Sequence, residues 1–310
     1  MFSTQYGENF PRFVRCNGFW LALLFWALAV GPRAATAFTS PVDDLGRPVP
    51  LAAPAKRVVC IGPGATETIF ALGAGGQLVG RDQFSDFPAG VNRIPIAGDF
   101  TGPYAEQVVA LRADLIVVQG ETFDAGRADL WARQCNAPVA ILAPRTLPGL
   151  ETDFRKLGAW LGRADQARAL AAGFSDALPR AKPRLAAFIE VERTPLMTAG
   201  LGTFLNDAVS RVFINVAVRD YQLRGYQAFN LENLIASQPG IYVVPSFPGS
   251  GAALSGTLRQ LRSNPVLSKL KCVQSGRVIV IDGDFIERPG PRLAQGIALL
   301  ARQAALFPDQ

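Results

Sequence analysis

No histidine occurs in the 310 residues. That removes the side chain that titrates nearest neutral pH, the base of Ser-His-Asp and Cys-His sites, and the commonest zinc ligand. Of the 4 cysteines, none forms a CxxC or CxxH pair with zinc-site spacing. Ser-Lys and two-carboxylate chemistry stay open in principle, but no spacing argues for either. The GPGATE stretch at 62–67 is Gly-rich, yet it is neither GxGxxG nor a loop ending in Gly-Lys-Ser/Thr, so it argues little for nucleotide binding. Asp284 and Arg288 stand four apart on a predicted loop, where an exposed pair is worth at most about 1 kcal/mol. No catalytic residue is assigned.

The N-terminus reads as a processing signal. Arg12 and Arg15 precede an unbroken apolar run from Phe19 to Val30, and Ala35-Thr36-Ala37 is a small-x-small cleavage site. The run is well short of the roughly 20 residues a membrane-spanning helix needs. Cleavage after Ala37 is expected, releasing a periplasmic chain from Phe38. No cysteine follows the run at a lipoprotein position. Loss of Arg12, Arg15, Arg33 and Glu8 lowers the formal charge from +6 to +4, and no basic cluster suggests nucleic acid. Cys60, Cys135 and Cys272 then remain, enough for at most one intramolecular disulfide, and a Cys135–Cys272 bridge is left open.

After the signal, strands and helices alternate. RVVCIG (57–62), QLVGR (77–81), DLIVVQG (114–120), PVAIL (138–142), TPLMTAG (194–200), GIYVVPSF (240–247) and RVIVID (277–282) read as buried strands between helical segments, the pattern of parallel sheets covered on both faces. Between the two groups lies an amphipathic run in which Leu150, Phe154, Leu157 and Leu161 share one face. The expected fold is α/β: two doubly wound lobes connected by a single long backbone helix, with a ligand cleft between them. The boundaries are 1–37 for the signal, 38–149 for the first lobe, 150–180 for the helix and 181–310 for the second lobe.

Four stretches carry a resemblance: PAKRVVCIGPGATETIFALGAGGQLVGRDQFSDFP, IPIAGDFTGPYAEQVVALRADLIVV, LENLIASQPGIYVV and RVIVIDGDFIERPGPRLAQGIALL. Over nearly all of 54–307 the chain resembles the substrate-binding proteins of ABC importers for ferric siderophores, haem and cobalamin. The resemblance implies a non-catalytic monomer that delivers its ligand to a permease dimer at the inner membrane, with no cofactor of its own. It also implies that a glutamate at the tip of each lobe docks on permease arginines, and those positions match Glu67 and Glu232 here.

The cleft of such a fold is built from loops at the carboxyl ends of the strands. These loops select Phe84, Asp86, Phe100, Tyr104 and Gln119, with Gln83, Ser85 and Glu121 beside them, from the first lobe. They select Tyr226, Phe247, Asp284 and Arg288 from the second. Aromatic faces suit a macrocycle or catechol, and arginines suit carboxylates or propionates. Segment 210–229 is expected as a loop carrying Arg219, Tyr221, Arg224 and Tyr226 towards the cleft.

Cobalamin binders resembling this chain carry tryptophans near the places of Phe100, Gln119 and Tyr226. Haem needs an axial ligand, for which Tyr104 or Tyr226 would have to serve. A ferric siderophore therefore ranks first, a corrinoid second and haem third. The alternatives are a secreted metal-independent enzyme on a bilobal scaffold and a sensor subunit that presents its ligand to a receptor.

Overall fold

The computed structural model describes residues 38–180, 183–247 and 254–307; the expected cleavage after Ala37 lies outside the described residues. Val58–Ile61 (β1), Leu115–Gln119 (β5) and Val139–Leu142 (β6) are runs of apolar residues buried along almost their whole length, as strands covered on both faces must be. With Leu78–Asp82 (β2), Ile96–Asp99 (β3) and Gly102–Pro103 (β4) they form one sheet in the order β4-β3-β2-β1-β5-β6. All neighbours are parallel except the short β3–β4 edge pair. The chain winds outward from β1 through β2 and β3, then returns to the other side of β1 with β5. The loops after β1 and β5 therefore flank the point where the winding reverses, which is where such sheets bind ligands. Helices Pro63–Ala71 (α1), Ala105–Ala110 (α2) and Ala125–Cys135 (α3) complete this lobe.

The connection is not the single long helix expected over 150–180. It is a helical hairpin of Leu147–Trp160 (α4) and Ala164–Ala177 (α5). The chain reverses at Gly162, whose φ of +68° is costly for any residue with a Cβ. Just inside the turn, a Cβ on Gly158 would stand 2.3 Å from that of Ala167, so only glycine lets the two helices pack this closely. The amphipathic face read from sequence does serve two cores. Leu147, Leu150 and Phe154 pack into the second lobe, and Leu157, Trp160 and Leu161 into the first. On the return, Ala167 joins the first core and Ala171 and Phe174 the second. Burial of Phe154 alone contributes roughly 1.5–3 kcal/mol. Asp153, also on α4, is buried; desolvation and the neighbouring Asp44 push its carboxyl up to about 9, while Lys156 pairs with Asp44.

The second lobe has its own parallel sheet, separate from the first. Ala186–Ile189 (β7), Glu192–Arg193 (β8), Leu196–Ala199 (β9), Ile214–Asn215 (β10), Tyr226–Ala228 (β11), Ile241–Ser246 (β12) and Val278–Asp282 (β13) are its strands. The parallel sheet runs β10-β7-β12-β13, and β11-β9-β8 form a small antiparallel sheet. Its helices are Phe204–Val209 (α6), Val216–Tyr221 (α7), Leu231–Ser237 (α8), Leu254–Ser263 (α9), Lys271–Gln274 (α10), Gly283–Ile286 (α11) and Leu293–Ala304 (α12).

Segment 210–229 is not the loop expected. It contains β10, α7 and β11, each too short to leave a readable period, and it is anchored by Phe213, Val216 and Ala217 in the lobe's cores. Tyr221 lies edge-on to Phe229 and donates to the carbonyl of Asn233 at 3.0 Å, and Arg219 is forked onto Asp220. Cys60, Cys135 and Cys272 are free thiols buried in separate regions, Cys135 in the first lobe and Cys272 in the second, so no disulfide joins them. Among the described residues, no helix is long and apolar enough to cross a membrane.

Candidate functional site

The loops after β1, β2 and β5 of the first lobe meet the segment after β13 of the second. Contact is close: a Cβ on Gly64 would fall 2.3 Å from the carbonyl oxygen of Pro289. Gln119, at the end of β5, ties this seam with both ends of its amide. Its Oε1 accepts from the Ala65 N–H at 2.8 Å, and its Nε2 donates to the Pro289 carbonyl at 2.8 Å. Gln119 thus holds the lobes rather than offering a free group.

The turn after β2 is built by Asp82, a buried acid the sequence reading passed over. Its carboxylate accepts from the backbone N–H of Gly62, Phe84 and Ser85 and from the Ser85 hydroxyl. Ser85 is therefore a buried staple. The turn it closes projects Phe84, Asp86 and Phe87 outward.

Across the seam runs an ion network. Arg292, at the start of α12, donates to both oxygens of Glu67 at 2.6 and 2.9 Å. Its guanidinium also lies 4.1 Å from the centroid of Phe87 and 5.1 Å from that of Phe285. Arg288 contacts Asp86 at 2.6 Å and Glu67 at 3.6 Å through Nη1, and Asp284 at 2.7 Å through Nη2. Burial alone would raise the Asp86 carboxyl, but the hydrogen bond and charge of Arg288 hold it below the usual range. Asp284 is shifted the other way, since its burial outweighs Arg288. Glu67 pairs on the inside, its side chain 2% exposed, so in this arrangement it does not present a carboxylate to a partner. The sequence reading has it facing out from a helix start at Ala65; the helix begins at Pro63, so Glu67 is its fifth residue and faces the second lobe.

Glu232 is exposed at the second residue of α8, where the Asn230 side chain caps its N–H at 2.7 Å. The first lobe has a counterpart that the sequence reading missed. Glu106 is the exposed second residue of α2, and α2, like α8, follows closely on a strand of an antiparallel pair.

Tyr226 is not part of the ion network around Arg288, whose partners are Asp86, Glu67 and Asp284. It is half-buried beside Glu121 and Glu287, with its hydroxyl over the first turn of α6. Burial, then the two carboxylates, push the phenol well above its usual range. Burial and Asp284 push Glu287 up to about 7, and burial raises Glu121 despite Arg145 and the N–H of Phe204. The rim is aromatic: Phe100 is 73% exposed with its ring 6.2 Å from that of Phe84, and Phe247 and Tyr104 are also exposed. Tyr104 donates to Asp99 at 2.9 Å, which raises its own pKa.

Arg292 and Phe87 were also missed, although the four-residue step from Arg288 to Arg292 was a usable signal; Glu287 falls within the stretch from Asp284 to Arg288 expected at the cleft. Among the described residues, no group of three or more Cys, Asp and Glu side chains is arranged to hold a metal ion.

Residues 58–285 match the profile of the family described as periplasmic binding protein. The chain belongs to that family. An ABC transporter substrate-binding lipoprotein of Bacillus subtilis, YvrC, is 24% identical over 94% of this chain and 97% of its own length. The vitamin B12 binding protein BtuF of Vibrio cholerae superposes with a TM-score of 0.69 at 20% identity, covering 83% of this chain and 99% of the other. A periplasmic haem-binding protein of Pseudomonas aeruginosa superposes with a TM-score of 0.68 at 27% identity, covering 82% and 94%. The relatives of this binding protein are thus two-lobed α/β solute binders, and the seam described above lies where two such lobes meet.

Proposed function

We propose that the protein captures a metal chelate at the mouth of the seam, in the periplasm after signal cleavage, and hands it to an ABC permease. One observation carries the choice of a chelate whose metal arrives already coordinated. Both tyrosines available as metal ligands are engaged: Tyr104 with Asp99, and Tyr226 among buried acids over α6. Neither is poised to ionise, as a tyrosinate ligand must. What the rim offers instead is flat apolar contact from Phe84, Phe100 and Phe247 and a guanidinium at Arg288.

A ferric siderophore is the first candidate. Trp131 and Trp160, the tryptophans of the mature chain, are buried within the lobes, which leaves the cleft without the indole walls expected for a corrinoid. Relatives named for vitamin B12 and haem support the wider chelate class. The exposed Glu106 and Glu232, one per lobe, are the carboxylates we assign to permease docking, in place of Glu67.

The test is the absorption spectrum of protein purified from its natural host, followed by titration of the stripped protein with a ferric siderophore, cyanocobalamin and haemin. A charge-transfer band of a ferric chelate and sub-micromolar binding are expected. A Soret band with tyrosinate features, or turnover of any of these compounds, would overturn the reading.

A further inference from the structure

We infer that Asp86 is a built-in competitor for the anionic group of the ligand, so that Asp86 sets which ligand charge the cleft accepts. The inference rests on the proposed chelate function, in which a ligand anion reaches Arg288. Arg288 is held from three sides. Asp284, four residues earlier on its own segment, steadies Nη2 at 2.7 Å, and its side chain is 9% exposed. Glu67 lies 3.6 Å from Nη1, but both of its oxygens already accept from Arg292, through Nε and Nη2. Asp86 reaches Nη1 at 2.6 Å from the opposite lobe, 202 residues away in the chain.

The three carboxylates differ in what their departure costs. Glu67 and Asp284 are 2% and 9% exposed, and moving either strands a buried guanidinium. The Asp86 side chain is 52% exposed and sits on a turn whose anchor is Asp82, so it can swing into water without unmaking the turn. Charge points the same way. Arg288 and Arg292 face Glu67, Asp86 and Asp284, so the cluster carries an excess negative charge while Asp86 is in place. An incoming carboxylate or catecholate oxygen is repelled until Asp86 leaves, and afterwards it takes the position on Nη1 that Asp86 gave up. A cationic chelate gains nothing from the exchange. The Glu67–Arg292 pair and the Gln119–Pro289 hydrogen bond are untouched throughout, so the lobes keep these ties while the Asp86–Arg288 tie is handed to the ligand.

Asp86→Asn keeps the shape of the side chain and removes its charge. The probes are ferric citrate as the anionic chelate and ferrioxamine B as the cationic one, titrated by intrinsic fluorescence on wild type, Asp86→Asn, Arg288→Ala and the double variant. Asp86→Asn is expected to bind ferric citrate roughly three- to tenfold tighter, the scale of one half-exposed ion pair, and ferrioxamine B no tighter. The gain should vanish in the double variant. Equal or weaker binding of ferric citrate by Asp86→Asn overturns the inference while leaving the chelate reading intact. If neither chelate binds any form, the chelate reading fails, and a ligand-independent measurement still decides the role of Asp86. Sulfate, titrated at constant ionic strength, should raise the melting midpoint of Asp86→Asn more than that of wild type or Arg288→Ala. No difference between Asp86→Asn and wild type in that series overturns the inference.

Discussion

Arg292 and Glu67, 225 residues apart, are joined by a two-pronged ion pair that closes one lobe on the other. Both side chains are largely withdrawn from water, and the Arg292 guanidinium is also covered by Phe87 and Phe285. The pair is therefore a tie between lobes that is lost as a unit.

Removing one member leaves the other buried without a counter-charge. Glu67→Gln is expected to cost about 1.5–3 kcal/mol in denaturant unfolding, less than the full penalty of a stranded buried charge because the lobes can part and admit water. Small-angle scattering should show a larger radius of gyration. An unchanged midpoint and an unchanged radius together would show that the tie is dispensable.

Glu287 makes stability depend on pH. Its carboxyl is raised to about 7 by burial and by Asp284, so near pH 6 the folded protein holds a proton that the unfolded chain has released. Its contribution is fully present below the carboxylate range of the unfolded chain and is lost as pH rises through about 7. Glu287→Gln should flatten this fall in melting temperature between pH 5 and about 7.5. A slope that matches wild type would assign the effect to other groups, of which Asp153, raised to about 9, is the first to substitute.

Phe100 is the most exposed cleft aromatic and contributes little to the fold. Phe100→Ala should leave unfolding within about 0.5 kcal/mol of wild type. The same change should weaken chelate binding roughly three- to tenfold, the value of one stacked aromatic contact. Loss of stability with unchanged affinity would mean the ring belongs to the lobe and not to the ligand.

Glu106 and Glu232 separate docking from binding. Charge reversal of both, Glu106→Lys with Glu232→Lys, should preserve ligand affinity and abolish uptake in a transport assay with the cognate permease. Each single reversal should give partial loss. Full uptake by the double variant would remove both residues from the docking surface.

Seven of the strands, the two groups they fall into and the family were legible in the chain itself; β3, β7 and the short strands β4, β8, β10 and β11 were not, and the strand read at 194–200 belongs to the small antiparallel sheet rather than a parallel one. Runs such as VVCI, LIVVQ and VAIL state their burial through composition alone, and ERPGPR marks the segment between α11 and α12. The aromatic and charged residues after the strands were also readable, because parallel sheets always bring those ends together. What the chain did not state was partnership across the seam. Nothing near Glu67 in sequence distinguishes an outward docking carboxylate from one clasped by Arg292, since the partner lies in the other lobe. The break at Gly162 was hidden for a related reason: the apolar stripe runs through it, and only the close packing of Gly158 on Ala167 turns one rod into a hairpin. Local sequence determines burial and period; which charge meets which is decided by long-range packing, where a few ångströms separate a surface acid from a tie between lobes.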